Sequence, residues 1–293
     1  MELRVALYRA KSWLRHQLTA WNTGGEGVHS PYLFEWVRMV MMDKNAYYIW
    51  GEIERCREKM LRDERELEFV DYGSGKLKGE NGKLKGESGE RRRVCDIARR
   101  SLAKRKYAQM LSRLVNWLGS PLLTSPSRGG IGDETLEDRK GLTIVELGTS
   151  LGVTTAYMAA MDSRNRVVTF EGCEAVANIA KENWKALNIN NIECRVGEID
   201  VEELVGDIEY LDMAFIDANH TYVSTCEYFD VLAGKVREKS VIVVDDIHYS
   251  EEMEKAWKAI CADERVTSTI DLYQMGLVFF DKHYWKRHYT MRL

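Results

Sequence analysis

The chain has 293 residues, of which 45% are hydrophobic and 30% are charged, a composition typical of a globular protein with a buried core. No apolar run approaches the roughly 18 residues that would span a bilayer. The N-terminal segment mixes charged residues with apolar ones, unlike a secretory signal. Six cysteines lack a short Cys-x-x-Cys spacing, which argues against a zinc site or a disulfide framework. Together these features exclude a transmembrane protein and predict a cytoplasmic one.

The charge is divided unevenly along the chain. Residues 1–141 hold 27 Lys and Arg against 20 Asp and Glu, whereas residues 142–293 hold 15 against 26. We therefore expect a helical N-terminal region over 1–120, with a flexible insertion near 73–92, and a second domain over 142–293. A stretch rich in turn-forming residues, 121–141, is the expected linker. The basic half could meet an acidic substrate, a nucleic acid or a membrane surface, although a solvated helical surface is the more common explanation.

The sequence pattern of the N-terminal half predicts helices. Leucines and a tryptophan recur near helical spacing in the first 22 residues, which predicts an amphipathic basic helix. Ser30 and Pro31 are typical of the N-cap and first residue of a second helix. A further helix is expected over Val94 to Leu118. The apolar residues of the first helix are Leu3, Leu7, Leu14, Leu18 and Trp21.

Beyond the linker, short apolar runs alternate with helical segments, at about 153–162, 174–187, 222–236 and 251–262. This alternation predicts an α/β fold with a Rossmann-like, doubly wound sheet of seven strands. The last two runs are separated by only four residues, so they should form an antiparallel terminal hairpin. The predicted strands are Leu142–Leu147, Arg166–Phe170, Ile192–Val196, Leu211–Ile216, Val241–Val244, Thr267–Leu272 and Leu277–Phe280.

The turn after the first of these strands carries a ligand-binding pattern. In a doubly wound sheet the ligand lies beyond the carboxyl ends of the strands. Gly148 and Gly152 in this turn would let a ligand approach the backbone closely. Glu171, at the end of the second strand, is placed to accept hydrogen bonds from ribose hydroxyls. A glycine turn followed by such an acid predicts a nucleoside ligand.

The spacing Glu-x-Gly-x-x-x-Gly, from Glu146 to Gly152, differs from the Gly-x-Gly-x-x-Gly of dinucleotide-binding proteins, which disfavours a nicotinamide oxidoreductase. It resembles the class I S-adenosylmethionine-dependent methyltransferases, in particular the small-molecule O-methyltransferase branch that includes catechol O-methyltransferase. The resemblance covers roughly residues 142–281, about half of the chain. It implies S-adenosylmethionine as cofactor and a small-molecule acceptor. The implied cofactor-binding residues are Glu146, Gly148, Thr149, Ser150, Gly152, Glu171, Gly197, Glu198 and Asp217.

The resemblance also implies a metal site. In the metal-dependent O-methyltransferases two acids and an amide at the ends of the fourth and fifth strands bind magnesium. Asp217, Asp245 and Asp246 occupy those places here, with Asp246 where the family has asparagine. Three carboxylates suit Mg²⁺, which would favour deprotonation of the acceptor.

Methyl transfer is an in-line displacement, so the protein mainly aligns the reactants and removes a proton. His220, with a usual pKa of about 6.5, is the first candidate for the base, grouped with Asp217 as the catalytic pair. His248 is the second candidate. Each histidine could instead simply hydrogen-bond a neighbouring acid or backbone group.

Two further functions stay open at this point. The basic N-terminal half suits an RNA or DNA methyltransferase, although the Asn/Asp-Pro-Pro-aromatic loop used for base amines is absent. The other alternative is a non-catalytic protein that binds the cofactor. The sequence also leaves open whether the protein forms a homodimer. We also expect the N-terminal region to cover the active site, through Tyr32, Phe34 or Trp36.

Overall fold

The computed structural model describes residues 2–20, 24–25, 27–69, 90–120, 141–197, 200, 205–282 and 286–293, with the backbone alone for 2–6. Most of the predicted insertion and linker, and Glu198, lie outside these residues.

Nine α-helices occupy the described part of the chain. Ser30 accepts a hydrogen bond from the Leu33 N–H and Pro31 follows it, so the second helix begins as the sequence predicts. None of the described helices is long and apolar enough to cross a membrane. The helices are α1 (Glu2–Thr19), α2 (Pro31–Trp36, continued by a π-helical turn over Val37–Met41), α3 (Tyr48–Met60), α4 (Val94–Ser101), α5 (Arg105–Leu118), α6 (Val153–Ala159), α7 (Glu174–Ala186), α8 (Tyr222–Ala233) and α9 (Glu251–Ala262).

Eight of the strands form one sheet, in the order β10-β8-β9-β7-β6-β3-β4-β5. The pairs from β5 to β7 are parallel, and β9 runs antiparallel between β7 and β8. The predicted doubly wound sheet with its terminal hairpin is therefore confirmed. The strands are β1 (Glu66–Phe69), β2 (Glu90–Arg93), β3 (Thr143–Leu147), β4 (Arg166–Glu171), β5 (Ile192–Val196), β6 (Leu211–Ile216), β7 (Val236–Asp245), β8 (Ser268–Asp271), β9 (Met275–Phe279) and β10 (Arg287–Thr290).

The strands β3, β6 and β7 are apolar on both faces, as parallel strands between helical layers must be. On one face Ile144 and Phe215 share a core with Trp36 and Leu111 of the N-terminal helices. On the other face Val145 packs with residues of α8 and α9. The N-terminal helices therefore supply part of one covering layer of the sheet.

Three elements differ from the sequence predictions. The helix predicted over Val94–Leu118 is broken between Ser101 and Arg105 into α4 and α5. A separate hairpin pairs β1 with β2 antiparallel. At the C-terminus β10 adds an eighth strand, parallel to β8.

Helix α1 docks through its polar side, contrary to the usual behaviour of an amphipathic helix. Ser12 and His16 are buried, whereas Leu7, Leu14 and Leu18 are 64%, 55% and 77% exposed. Arg15 pairs with Glu254 of α9 at 2.7 Å. The contacts that fix α1 are thus ionic and hydrogen-bonding.

Candidate functional site

A cavity of about 930 Å³ opens at the carboxyl ends of the central strands. Its position is the switch point between β3 and β6, where a doubly wound sheet binds ligands. From the sheet and its turns it is lined by Gly148, Ser150, Phe170, Glu171, Gly172, Asp217, Ala218, Asn219, His220, Thr221, Asp245, Asp246, Tyr249 and Gln274.

The turn after β3 approaches β6 so closely that a side chain at its first glycine has no room. Gly148 has φ +99°, and a Cβ there would lie 2.1 Å from the carbonyl oxygen of Asp217. Gly152 has φ +76°, but its missing Cβ makes room for the indole of Trp184. Gly152 does not line the cavity. The absence of a Cβ at Gly152 thus lets α7 pack against the turn, and a contact of Gly152 with the cofactor stays a prediction.

Glu146 and Thr149 lie beneath the turn rather than in the cavity. Glu146 is fully buried, and one carboxyl oxygen accepts hydrogen bonds from the hydroxyls of Thr155 and Thr169. The Thr149 hydroxyl lies 2.6 Å from that of Thr169. Burial raises the pKa of Glu146 to about 8, because a charge there loses its hydration. These residues hold the shape of the turn from below.

Glu171 reaches the cavity from the end of β4. Its carboxylate accepts hydrogen bonds from the N–H of Ser150 at 2.8 Å and of Cys173 at 3.0 Å. Burial raises the pKa of this carboxyl, against the effect of the backbone donors. Carboxylate oxygens have further acceptor capacity, so Glu171 can still receive hydrogen bonds from vicinal hydroxyls. Gly197, with φ +139°, is not among the lining residues.

Across the cavity, His220 lies between two carboxylates. Its Nε2 is 3.3 Å from Asp217 Oδ1 and 3.6 Å from Asp246 Oδ2. Burial lowers the pKa of His220, but the neighbouring carboxylates of Asp217 and Asp246 outweigh it, so the pKa is raised. Beside them Asp245 is buried with Oδ1 lacking a partner, and burial raises its pKa well above the usual value.

Asp217, Asp245 and Asp246, the predicted metal ligands, all line the cavity. Within the described residues no group of three or more His, Cys, Asp or Glu side chains is arranged to hold a metal ion. The imidazole of His220 stands within ion-pairing distance of both Asp217 and Asp246. The assignment of Asp217, Asp245 and Asp246 as magnesium ligands therefore stays a prediction.

His248 points away from the cavity. The backbone turns at Asp246, which has φ +54°, and brings His248 under the sheet end. There its Nε2 lies 2.7 Å from Asp271 Oδ2 and its ring stacks on Tyr273. The prediction of His248 as an alternative base is wrong.

The N-terminal region does reach the cavity, but through other residues than predicted. Tyr32 and Trp36 are buried in the core, and Phe34 lies against Gly25. The cover is formed instead by the hairpin β1–β2 and by α4. Its lining residues are Glu66, Phe69, Glu90, Arg91, Arg92, Arg93, Asp96, Ile97, Arg100, Ser101, Leu102 and Ala103. Sequence offered no signal for this, because Glu90–Arg93 has no apolar residue to mark a strand.

The sheet order, the glycine turn and the acid at the end of β4 agree with the predicted resemblance to class I methyltransferases. Residues 145–247 match the model of a methyltransferase domain family. This part of the chain is therefore similar to methyltransferase domains, in agreement with the resemblance seen in the sequence.

A curated relative agrees with this assignment. The O-methyltransferase imqG of Aspergillus flavus is 32% identical over 111 residues, which are 35% of this chain and 44% of the relative. The match thus spans less than half of that protein.

Solved structures share the architecture over most of the chain. A protein from Klebsiella pneumoniae provisionally assigned as an O-methyltransferase superposes with a TM-score of 0.52 at 13% identity, covering 83% of this chain and 94% of its own. The O-methyltransferase from Bacillus cereus, solved with S-adenosylhomocysteine, gives 0.50 at 18% identity, covering 85% and 97%. At these identities the likeness concerns the fold.

Proposed function

We propose that this protein is an S-adenosylmethionine-dependent methyltransferase that methylates an oxygen of a small molecule. The observation that carries the proposal is the pairing of Glu171 with the Gly148–Ser150 turn in one cavity, within the domain that matches a methyltransferase family. The cavity volume of about 930 Å³ suits a cofactor with a small acceptor. The likeness to a curated O-methyltransferase supports oxygen as the acceptor atom.

Different residues that line the cavity would hold different parts of the cofactor. Glu171 would hold the ribose hydroxyls, and the backbone of Gly148 and Ser150 would lie along the amino-acid part of the cofactor. Asp217, at the end of β6, faces the same space and can pair with the cofactor's ammonium group. S-adenosylmethionine, when bound, supplies an electrophilic methyl group.

His220 is the base in this proposal. Its Nε2 faces Asp217, which leaves Nδ1 to accept the proton of the acceptor hydroxyl. As the new oxygen–carbon bond forms, the sulfur–carbon bond breaks and sulfur keeps that electron pair. The charge of Asp217 stabilises the imidazolium that results, as an acid orients histidine in other acid–base pairs.

The cofactor half of the proposal is tested by calorimetry with S-adenosylhomocysteine on the full chain. We expect Glu171→Ala to weaken binding at least tenfold, because it removes the carboxylate that receives the ribose. Glu174→Ala, an exposed glutamate three residues further on, is the matched control and should bind like the unmodified protein. Equal affinities for the two variants would refute the assignment of Glu171.

The acceptor half is tested by transfer of labelled methyl from S-adenosylmethionine to catechols, phenols and carboxylic acids, with RNA as a separate arm. We expect a labelled small molecule, and we expect His220→Gln to lower kcat while cofactor affinity is retained. Label found in RNA alone would overturn the small-molecule acceptor.

A further inference from the structure

The turn that would hold the ribose has no side chain to cover the neighbouring adenine. Gly172 follows Glu171 directly and lines the cavity, as does the buried Val176 of α7. A purine ring is flat and apolar on both faces, so a slot for it needs two walls. Helix α7 supplies Val176 as one wall, and a second wall can come from the N-terminal cover.

The hairpin β1–β2 brings an aromatic ring to this place. Phe69 is the last residue of β1 and lines the cavity. The preceding residue, Glu68, accepts a hydrogen bond from the Cys173 thiol through its carbonyl oxygen, at 3.5 Å. Cys173 also donates its N–H to the Glu171 carboxylate. Phe69, the residue after Glu68, is therefore held close to the turn that would bind the ribose.

Arg92 contacts one face of the Phe69 ring. The guanidinium carbon of Arg92 lies 4.0 Å from the ring centroid, a cation–π contact. Arg92 is in turn held by Glu90, whose carboxylate accepts its hydrogen bonds at 2.8 and 3.2 Å. One face of the ring is thus occupied by Arg92, and Phe69 both packs against the core and lines the cavity.

Other contacts fasten the cover to the same end of the cavity. The hydroxyl of Ser101, at the end of α4, lies 2.7 Å from that of Ser150 in the glycine turn. Arg65, just before β1, pairs with Glu182 of α7 at 3.0 Å. The cover is therefore joined both to the glycine turn and to α7.

We propose that Phe69, backed by Arg92, is the aromatic wall on which the adenine of the cofactor stacks. The inference rests on the proposed use of S-adenosylmethionine and extends its binding site to the N-terminal region. Stacking of a base on an aromatic side chain is sequence-tolerant and strong enough to control affinity. Adenosine, which lacks the amino-acid part, should depend on Phe69 as much as the whole cofactor does.

The test is calorimetry of the full chain with S-adenosylhomocysteine and with adenosine. Phe69→Leu keeps apolar bulk and removes the ring, and it should weaken both ligands roughly tenfold. Phe69→Tyr should bind like the unmodified protein. Phe34→Ala, an aromatic residue outside the cavity, is the matched control. In NMR spectra the adenine protons of the bound ligand should lose an upfield ring-current shift in Phe69→Leu.

The outcomes separate this inference from the proposed function. If Phe69→Leu binds both ligands like the unmodified protein while Glu171→Ala does not, the adenine wall is wrong and the cofactor site stands. A loss with S-adenosylhomocysteine but none with adenosine also overturns it, because the contact would then lie elsewhere on the cofactor. If the unmodified, folded protein binds neither ligand, both proposals fall.

Discussion

Glu146 is a buried acid whose pKa makes a definite prediction about stability. The pKa is about 8 in the folded protein against the usual 4.5, so the folded state holds a proton that the unfolded state has released. Stability should therefore fall as pH rises between about 4.5 and 8, by up to about 1.4 kcal/mol per pH unit.

Glu146→Gln mimics the protonated acid and should remove this dependence. We expect the variant to match the unmodified protein near pH 5 and to exceed its free energy of unfolding near pH 8. Urea denaturation across this range measures it. Glu58→Gln, an exposed glutamate on α3, is the control. Parallel stability curves for the protein and Glu146→Gln would show that Glu146 is ionised throughout.

At the scale of single residues, the sequence predicted which residues lie at the site better than the direction in which each side chain points. Gly148, Ser150, Glu171, Asp217 and His220 were predicted and line the cavity, because strand ends in a parallel sheet converge. Gly152 and His248 were assigned to ligand contacts and do not line the cavity. Which way a turn residue points depends on φ values such as that of Asp246 and on partners far away in sequence, here Trp184 and Asp271.

Helix α1 is attached to the sheet through a partly buried acid, Asp271, which makes its docking depend on pH. Asp271 of β8 lies 2.7 Å from His248 Nε2 and 3.3 Å from His16 Nε2 of α1. Burial raises the pKa of Asp271, but its two histidine partners and the N–H of Tyr273 hold it well below the usual value. The carboxylate thus stabilises the fold above a pH of about 4, and this contribution is lost as pH falls towards its depressed pKa.

Asp271→Asn should destabilise the protein by roughly 2 kcal/mol or more at pH 7, because it leaves two buried histidines without their acid. The difference in free energy of unfolding between Asp271→Asn and the unmodified protein should narrow below about pH 4, because Asp271 of the unfolded chain takes up a proton there. Limited proteolysis at Lys11 and Arg15 would report release of α1. Asp230→Asn, in the exposed pair with Arg265, should cost less than about 1 kcal/mol. Equal losses for both variants would contradict a docking role.

Elements were predictable where they carry an apolar pattern. Seven of the eight strands of the main sheet were predicted, because most of them are buried and form apolar runs. The hairpin β1–β2 was missed because its strands are charged and gain their order from contacts with α7. The polar docking of α1 was missed for the same reason: helical periodicity located its leucines, but the partners of His16 and Arg15 lie some 240 residues further along the chain.

At the scale of the whole molecule, the uneven distribution of charge between the two halves of the sequence does not divide the hydrophobic core. The basic N-terminal half and the acidic C-terminal half share one core, in which Trp36 is fully buried against Phe279 of β9, with ring centroids 6.1 Å apart. A residue of the helical layer thus supports the sheet that shapes the cofactor turn. Charge asymmetry reports on surfaces, and it carries no information on which apolar faces meet.

Trp36→Ala should therefore destabilise the entire protein although Trp36 does not line the cavity. We expect a loss of about 3–5 kcal/mol, as for a large aromatic side chain removed from a packed core, with a single calorimetric unfolding transition at a lower temperature. Trp13→Ala, which removes a tryptophan 51% exposed on α1, should leave that temperature nearly unchanged. Because we expect S-adenosylhomocysteine to bind the folded protein alone, saturating ligand should raise the whole transition of Trp36→Ala. Two separate transitions, of which the ligand raises one alone, would mean that the N-terminal helices and the sheet unfold independently.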